Sequence, residues 1–468
     1  MTISGTPGPP LGSAEIEAVH SAALRLLAET GVTIFDQEAR DVFAAHAARI
    51  DGRVVFINEQ LVRRALEAAP ASFTLAGRNP ARDLHFGDGE LVTGSATGPA
   101  HVLEGDVRRA GTLDDLTLAI RLGHVSRNID FHGVCVEPLD VPGQVRTRVA
   151  MHARLLASDK PTESWTAVPA DIDVAVRVHE ILFGAAWHEL PRALAIVNTS
   201  SPLQLSAEAG QALVRLARLG QPLCVTPCVM GGTTGPMTLS GILALQHAEA
   251  LAGLVLVQLC RPGCPFLYGA TSSVSSMKTG ALLMGVPEFW VLTEASAQMA
   301  HSCGLPLRAG GALTDAHVPD AQAGIESALS LEASVRAGVD FILQAAGILS
   351  SFNCFSAEQF VIDDELLGAL AVRRQPVSAA ADELAVEVSE RVGPGGNFLL
   401  AAHTKAHARD FERPSFFTRE PLEGWRALGG RDLRAAAAAR VASSLASYQA
   451  PDDLDPIVRR QLDDYCLG

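Results

Sequence analysis

Short apolar segments alternate with helix-length segments from about residue 90 to residue 345, and this alternation constrains the fold most. The apolar segments predict eight strands, at residues 91–93, 131–137, 163–168, 194–198, 223–228, 266–270, 307–309 and 341–345. The segments between them predict helices at residues 113–122, 145–157, 172–182, 207–219, 241–259, 290–303 and 321–337. Alternating strands and helices form parallel βαβ units, so eight strands over about 260 residues predict an α/β fold of the (β/α)8 TIM-barrel type. A doubly wound open sheet is the alternative, although no G-x-G-x-x-G and no P-loop is present.

The pattern divides the chain into an N-terminal helical and β cap, a barrel, and a C-terminal helical extension, at residues 1–90, 91–425 and 426–468. In the cap, Ser13 is expected to cap an amphipathic helix that Gly31 ends. In the extension, Asp455 followed by Pro456 is typical of a helix start. The apolar residues of the extension predict that it packs on the barrel or on a second subunit.

Composition and charge exclude several classes of protein. Among 468 residues, 37 are basic and 52 acidic, which gives 37 − 52 = −15. This balance argues against nucleic-acid binding and against an anionic membrane surface, since both depend on Lys and Arg. The eight cysteines form no C-x-x-C motif, and the N-terminus has neither a basic start nor an apolar run. We therefore expect a soluble cytoplasmic protein with reduced cysteines.

Small polar residues follow several predicted strands, at 94–98, 198–202, 233–236, 269–273 and 310–315. In a barrel the loops after the strands form the active site, so these segments are expected to meet at one mouth. The candidate site residues at these strand ends are His101, Glu163, Trp165, Tyr268, Asp315, His317, Gln322, Phe352 and Asn353. Asp315, His317 and Asp320 also leave open a metal-dependent barrel enzyme. His403 and His407 lack the Glu of an H-E-x-x-H motif, and no intrinsic metal is expected.

Four groups of motifs resemble the trimethylamine methyltransferase family. They lie at residues 231–241 with 246–253, 310–326, 358–365 and 403–409. The resemblance extends over nearly the whole chain, and the motifs occur in the family's order. One position departs from it, because Ser276 stands where the family is expected to have Asp.

The resemblance implies a barrel enzyme that passes a methyl group from a methylated amine to the cobalt of a separate corrinoid protein. The chain contains only standard residues, so it resembles the pyrrolysine-lacking branch, which includes enzymes for quaternary amines such as glycine betaine. A quaternary ammonium leaves as a neutral tertiary amine without needing a proton, which suits a chain with no special electrophile. The predicted function is therefore methyl transfer from a small betaine-like compound to a corrinoid protein. The alternatives are a trimethylamine or other methylated-amine methyltransferase and a non-catalytic betaine-binding barrel.

Within this prediction each candidate residue has a role. Asp315, His317 and Gln322 are expected to be catalytic, and His101, Glu163, Trp165, Tyr268, Phe352 and Asn353 to bind the substrate. Aromatic rings and carboxylates would hold the cationic end, whereas His and amide side chains would hold a carboxylate end. The mouth must admit a corrinoid ring, which assigns this face to Gly94, Gly98, Gly231, Gly232, Gly310 and Gly311. The family resemblance also suggests an oligomer, expected to be a homodimer.

Overall fold

The computed structural model describes residues 8–164, 169–373, 376–410 and 415–468. In these ranges the helices α1 to α17 are Ser13–Arg25, Gln37–Ala45, Glu59–Ala68, Leu113–Val125, Gly143–Ala157, Pro169–Phe183, Ala207–Arg218, Leu239–Cys260, Pro287–Ser302, Ala321–Arg336, Ala357–Arg373, Ala381–Leu384, Val386–Val392, Ala402–His407, Leu422–Ala427, Leu433–Ser447 and Pro456–Leu467. The strands β1 to β19 are Val32–Ile34, Arg49–Asp51, Val54–Phe56, Phe73–Leu75, Leu84–Phe86, Val92–Thr93, His101–Glu104, Val107–Ala110, Ala195–Asn198, Gln204–Leu205, Leu223–Thr226, Met230–Gly231, Phe266–Gly269, Ser273–Ser275, Leu282–Leu283, Leu307–Arg308, Phe341–Ile342, Ile348–Leu349 and Cys354–Phe355.

A six-stranded parallel sheet forms the centre of an α/β fold. Its strand order is β6-β17-β16-β13-β11-β9. Three further contacts connect β6 to the segment before β9: a Gly94–Phe131 bridge, a His132–Thr162 bridge, and a hydrogen bond from the Ser164 N–H to the Leu194 carbonyl at 3.3 Å. Side chains alternate along the strands, so Leu267 lies in one apolar cluster and its neighbours Phe266 and Tyr268 lie in another.

The helices between the central strands cover the outer face of the sheet. The longest of them, α8, packs against α1, α3, α7 and α9. This helix is long and apolar enough to cross a membrane, but 94% of its most apolar window is buried inside the fold. A largely apolar helix is expected in such a position because it is surrounded by other helices.

The C-terminal helices pack on the same chain. Helix α16 lies against α4 and α11, and α17 lies against α5 and α6. Leu462 and Cys466 on α17 are fully buried, and the Tyr448 hydroxyl donates to the Ala157 carbonyl at 3.0 Å. Part of the apolar stripe of the extension is therefore covered by the same chain, whereas Ile457 is 68% exposed.

The predicted elements mostly occur where the pattern placed them. All seven helices between the predicted strands are present, and six of the eight predicted strands are strands of the central sheet. The prediction of a strand over 131–137 is wrong beyond His132, because the chain turns at Cys135, where φ is 47°. Most of predicted strand 163–168 lies outside the described residues. Ser13 is the first residue of α1 and forms no capping bond, which corrects its predicted role.

The C-terminal end of α4 is closed by a lysine. Lys160 Nζ donates to the carbonyls of Gly123, Ser126 and Ile129 at 2.8, 2.7 and 2.5 Å. Burial lowers the pKa of Lys160 to about 8. The last carbonyls of a helix have no partner within it, so one buried ammonium group satisfies three acceptors that would otherwise be unpaired.

Replacing this ammonium group is expected to destabilise the fold. Lys160→Met keeps most of the side-chain length but leaves three buried carbonyls unpaired, so we expect a loss of about 2–4 kcal/mol in the free energy of unfolding. Chemical denaturation followed by circular dichroism measures it. Lys278→Met is the matched control because Lys278 is exposed, and its stability should be unchanged. Equal stability of the two variants would contradict the role of Lys160.

Candidate active site

The inner face of the central sheet changes from apolar to polar along the strands. Leu267, Phe131 and Phe341 are fully buried in one apolar cluster on this face. Nearer the carboxyl ends of the strands lie Glu163 and Arg308, two charged residues that are 6% and 3% exposed. Active sites of parallel α/β folds lie at this end of the strands. We therefore identify this polar region as the candidate active site.

Glu163 is a buried carboxylate with one direct partner among the described residues. Thr97 Oγ1 donates to Glu163 Oε2 at 2.6 Å. Burial raises the pKa of Glu163, whereas the Thr97 hydrogen bond and the charges of Arg154 and Arg308 act in the opposite direction. A cation bound beside it would also favour the ionised form.

Arg308 is a buried guanidinium group with incomplete hydrogen bonding. It ends β16, where Leu307 faces the helices and Arg308 faces the inside of the sheet. Its Nε has no hydrogen-bond partner among the described residues. Burial lowers the pKa of Arg308, and the neighbouring Cys224, Glu163 and Cys228 raise it. Buried donors are normally paired, and Arg148 Nε and Arg154 Nε are two further arginine nitrogens without a partner among the described residues.

The opposite charges of Glu163 and Arg308 are near each other without forming an ion pair. Each affects the pKa of the other, yet within the described ranges no nitrogen–oxygen contact of 4.0 Å or less joins them. Sequence reasoning included Glu163 but missed Arg308. The available signal was an arginine inside a predicted buried strand, where charged residues are rare unless they are paired.

A second group of residues holds Glu163 in place. Arg154 of α5 donates from Nη1 to the Glu163 carbonyl at 2.7 Å and to Thr162 Oγ1 at 2.9 Å. The Gln344 side chain accepts from the Thr97 N–H at 2.9 Å and donates to the Thr97 carbonyl at 2.8 Å. Gln344 therefore positions Thr97, which in turn positions the carboxylate.

A loop cluster forms beyond the strand ends, and Asp315 is at its centre. Asp315 accepts from the N–H groups of Met284 and Gly285 at 2.9 and 3.1 Å. The Ser351 hydroxyl donates to the same carboxylate. Three consecutive residues, Ser350 to Phe352, have positive φ values of 54°, 50° and 75°. Such backbone strain persists only where surrounding contacts fix it, and here Asp315 supplies one of them.

The cluster brings together several predicted site residues. His317 Nδ1 lies 2.8 Å from Ser350 Oγ, and the Asn353 amide donates to the carbonyls of Ser350 and Ser351 at 2.9 and 3.1 Å. Gln322 is exposed and donates to Glu326 Oε1 at 2.9 Å. Glu326, which the sequence reasoning missed, also accepts from the Asp315 N–H at 2.9 Å. His101 joins the same region, because β7 pairs His101 with Cys354.

The predicted orientation of Tyr268 is wrong. Its ring is fully buried on the outer face of the sheet, and its hydroxyl lies 3.0 Å from His247 Nδ1 of α8. The alternation along β13 explains this, because Leu267 and Gly269 take the inner face and Tyr268 takes the outer one. Trp165, the other predicted ring on a strand, lies outside the described residues.

The six glycines predicted to face the corrinoid fall into two groups. A side chain at Gly94, Gly231, Gly310 or Gly311 would collide with the chain's own packing, at Gly310 with Ser334 Oγ at 1.9 Å. Gly98 and Gly232 are exposed. Gly98 has open space around it. The neighbours of Gly232 are Met237 and Met277, whose side chains are exposed and flexible.

Two of the motif segments have their contacts within the chain. Asp363 is fully buried, where it accepts from the Gly347 N–H at 2.8 Å and from Gln359 Nε2 at 2.7 Å. Burial raises the pKa of Asp363 to about 8. His403 and His407 stack on α14 with ring centroids 4.3 Å apart, and His407 Nδ1 contacts Asp410.

The chain belongs to the trimethylamine methyltransferase family. The family described as "Trimethylamine methyltransferase (MTTB)" matches residues 4–467. A glycine betaine methyltransferase of Desulfitobacterium hafniense is 35% identical over 453 residues, 96% of this chain and 94% of the relative. A proline betaine:corrinoid methyltransferase of Eubacterium limosum is 31% identical, with 94% and 93% of the two chains covered. A trimethylamine methyltransferase of Methanosarcina mazei is also 31% identical, with 93% and 90% covered.

A solved structure has the same fold at low sequence identity. The monomethylamine methyltransferase of Methanosarcina barkeri aligns with a TM-score of 0.52 and 12% identity. The alignment covers 93% of this chain and 89% of that one. At this identity the likeness concerns the fold alone.

Removing the Asp315 carboxylate is expected to loosen the loop cluster. In Asp315→Ala the N–H groups of Met284 and Gly285 lose a charged acceptor, so their hydrogen exchange should accelerate by about tenfold, for a hydrogen bond of about 1.5 kcal/mol. Hydrogen-exchange mass spectrometry of the peptides around 284–285 measures this. Asp382→Ala, at an exposed residue of α12, is the control. Unchanged exchange in the Asp315 variant would show that the carboxylate does not hold the loop.

Proposed function

We propose that this protein transfers a methyl group from a small quaternary ammonium compound of the betaine class to the cobalt of a separate corrinoid protein. The observation that carries the proposal is the pair of buried, opposite charges of Glu163 and Arg308, which form no ion pair with each other among the described residues. A betaine has a permanent cation at one end and a carboxylate at the other. Each end of the betaine would meet the opposite charge: the cation would meet Glu163 and the carboxylate would meet Arg308. The carboxylate would also supply the acceptor that Arg308 Nε does not find among the described residues.

The chemistry of the substrate agrees with these residues. The corrinoid partner's reduced cobalt supplies the nucleophile for the methyl carbon. When the carbon–nitrogen bond breaks, its electron pair stays on nitrogen, and the product is a neutral tertiary amine. No proton is needed for this departure, so the side chains need only bind and orient the substrate. Glu163 would hold the cationic end, and Arg308 would fix the carboxylate end.

The proposed site requires the central sheet to close into a barrel. We place residues 131–132 and 162–164 as the two remaining strands of a (β/α)8 barrel, between β6 and β9. The bridges and the Ser164 hydrogen bond support this closure. In the proposed domain division, residues 1–90 are the cap, 91–425 the barrel and 426–468 the extension.

The rim of the barrel would receive the corrinoid protein. Gly98 and Gly232 are the predicted glycines that have open or deformable surroundings. Met237 and Met277 beside Gly232 are 54% and 63% exposed, which gives this part of the rim an apolar surface. Unbranched methionine side chains adapt to a partner's shape. His101, His317, Gln322, Phe352 and Asn353 are proposed to line the entrance, with Asp315 holding their loops.

The substrate class can be tested at Arg308. In a methyl-transfer assay with the cognate corrinoid protein, Arg308→Gln should lower kcat/KM for glycine betaine by about 10- to 150-fold, the equivalent of about 1.5–3 kcal/mol for a charged hydrogen bond. Tetramethylammonium has the cation but no carboxylate, so its slower turnover should be nearly unaffected. Arg308→Lys should retain part of the betaine activity.

The control variant for this test is Arg426→Gln, because Arg426 is exposed. Thermal melts of all variants show whether each one is folded. Equal losses for glycine betaine and tetramethylammonium would contradict the carboxylate role. Turnover of trimethylamine but of no betaine by the unmodified protein would reject the betaine class. Betaine binding without transfer to the cognate corrinoid protein would favour a non-catalytic barrel.

We also propose that the protein is a cytoplasmic homodimer. The surface that supports the dimer is not the C-terminal extension from which an interface was first expected. The helical extension packs on its own chain, whereas Leu399, Leu400 and Val377 are 74%, 96% and 97% exposed. Contiguous exposed apolar side chains mark interaction surfaces, and Phe398, Leu399 and Leu400 are consecutive exposed residues of this kind. A second copy of the chain would cover them.

The oligomeric state can be measured by light scattering at micromolar concentration. We expect about twice the 49.2 kDa of one chain. Leu400→Asp should shift the mass toward a single chain, because it would bury a charge in the interface. Val107→Asp, at an exposed residue of β8, is the matched control and should remain dimeric. A mass near 49.2 kDa for the unmodified protein would contradict the dimer.

A further inference from the structure

Three metal-ligating side chains meet on the outer face of the fold, away from the candidate active site. They are His20 of α1, His247 of α8 and Cys303, which caps the end of α9. Their ligand atoms all lie within 4.8 Å of one another. His20 Nδ1 is 2.9 Å from His247 Nε2. In sequence the three are far apart, so no spacing motif could reveal them.

We propose that His20, His247 and Cys303 form a Zn²⁺ site that fastens the N-terminal helix α1 to the helices α8 and α9. Two imidazoles and one thiolate are a donor set that zinc prefers. In a tetrahedral site with bonds of about 2.0–2.3 Å, the ligand atoms are separated by about 3.3–3.7 Å. The observed separations require only small side-chain movements to reach this geometry.

The neutral state of the two histidines suits metal binding, whereas the cysteine must lose a proton to bind a metal. Burial lowers the pKa of His247 to about 3 and also lowers that of His20, so both rings are neutral near pH 7. A neutral ring offers a lone pair to a metal. Burial raises the pKa of the Cys303 thiol, so its proton leaves for solvent when the zinc–sulfur bond forms.

Tyr268 provides the outer contact that metal-binding histidines usually have. Its hydroxyl is 3.0 Å from His247 Nδ1, on the far side of the ring from the cluster. With Nε2 bound to metal, Nδ1 carries the proton and donates to Tyr268. Such a hydrogen bond fixes the tautomer and the orientation of a metal ligand. The fully buried Tyr268 side chain would then serve this site rather than the substrate.

The cluster is accessible to a metal ion from solvent. His20 and Cys303 line an open cleft of about 500 Å³, together with the carboxylates of Glu17 and Glu67. Both carboxylates are exposed. They would attract a cation to the cleft, and water or one carboxylate would supply the fourth ligand.

Cobalt substitution tests the proposal because a thiolate ligand gives Co²⁺ an intense near-ultraviolet charge-transfer band. The full-length protein is freed of metal with a chelator and titrated with Co²⁺ under reducing conditions. We expect the band to saturate at one equivalent and to disappear when Zn²⁺ is added. Zn²⁺ alone should raise the melting temperature, since it binds the folded state only.

Two variants and one control identify the ligands. Cys303→Ser should abolish the band, and the partly exposed His20→Ala should weaken Co²⁺ binding at least tenfold. Cys260→Ser is the matched control, because Cys260 is a partly buried free cysteine at the end of α8. Absence of the band in the unmodified protein, or its persistence in Cys303→Ser, would overturn the proposal. Methyl-transfer activity is not used as a readout, so the result is independent of the proposed function.

Discussion

Burial of both faces of the central parallel sheet is the constraint on which the rest of the structure depends. The outer face is covered by helices, and α8 is buried on all sides because other helices and the sheet surround it. The inner face is filled by side chains such as Phe131, Leu267 and Phe341. Polar groups can therefore face the inside only near the carboxyl ends of the strands, where the apolar layer stops. Glu163 and Arg308 lie in this region, which defines the candidate site.

The two buried charges make this region unusual in energetic terms. Taking a carboxylate and a guanidinium group out of water is costly, and this cost is only partly recovered unless both are fully hydrogen-bonded. Glu163 has the Thr97 hydroxyl, whereas Arg308 Nε has no partner in the described part of the chain. Arg154 and Gln344 hold the surroundings in place. In the proposed function a zwitterionic substrate completes these interactions, so binding would supply the contacts that folding leaves incomplete.

One strand connects the two sites that we propose. Gly269 of β13 takes the inner face, and a side chain there would collide with Thr226 Oγ1 at 2.2 Å. The preceding residue, Tyr268, points outward to His247 and thus to the cluster that includes Cys303. Alternation along a strand buried on both faces places adjacent residues in unrelated environments.

The sequence by itself determined the order and position of the elements, because apolar periodicity and helix-start signals are local. The helices at 113–122 and 207–219 and the Asp455–Pro456 start are examples, and the motif order determined the family. The orientation of Tyr268 could not be predicted, because a strand that is apolar on both faces has no polar alternation to mark its inner side. Nor could the sequence show that Arg308 Nε has no partner within the described ranges, or that His20 meets His247 and Cys303. His20, His247 and Cys303 are distant in the chain, and only the packing of helices on the sheet brings them together.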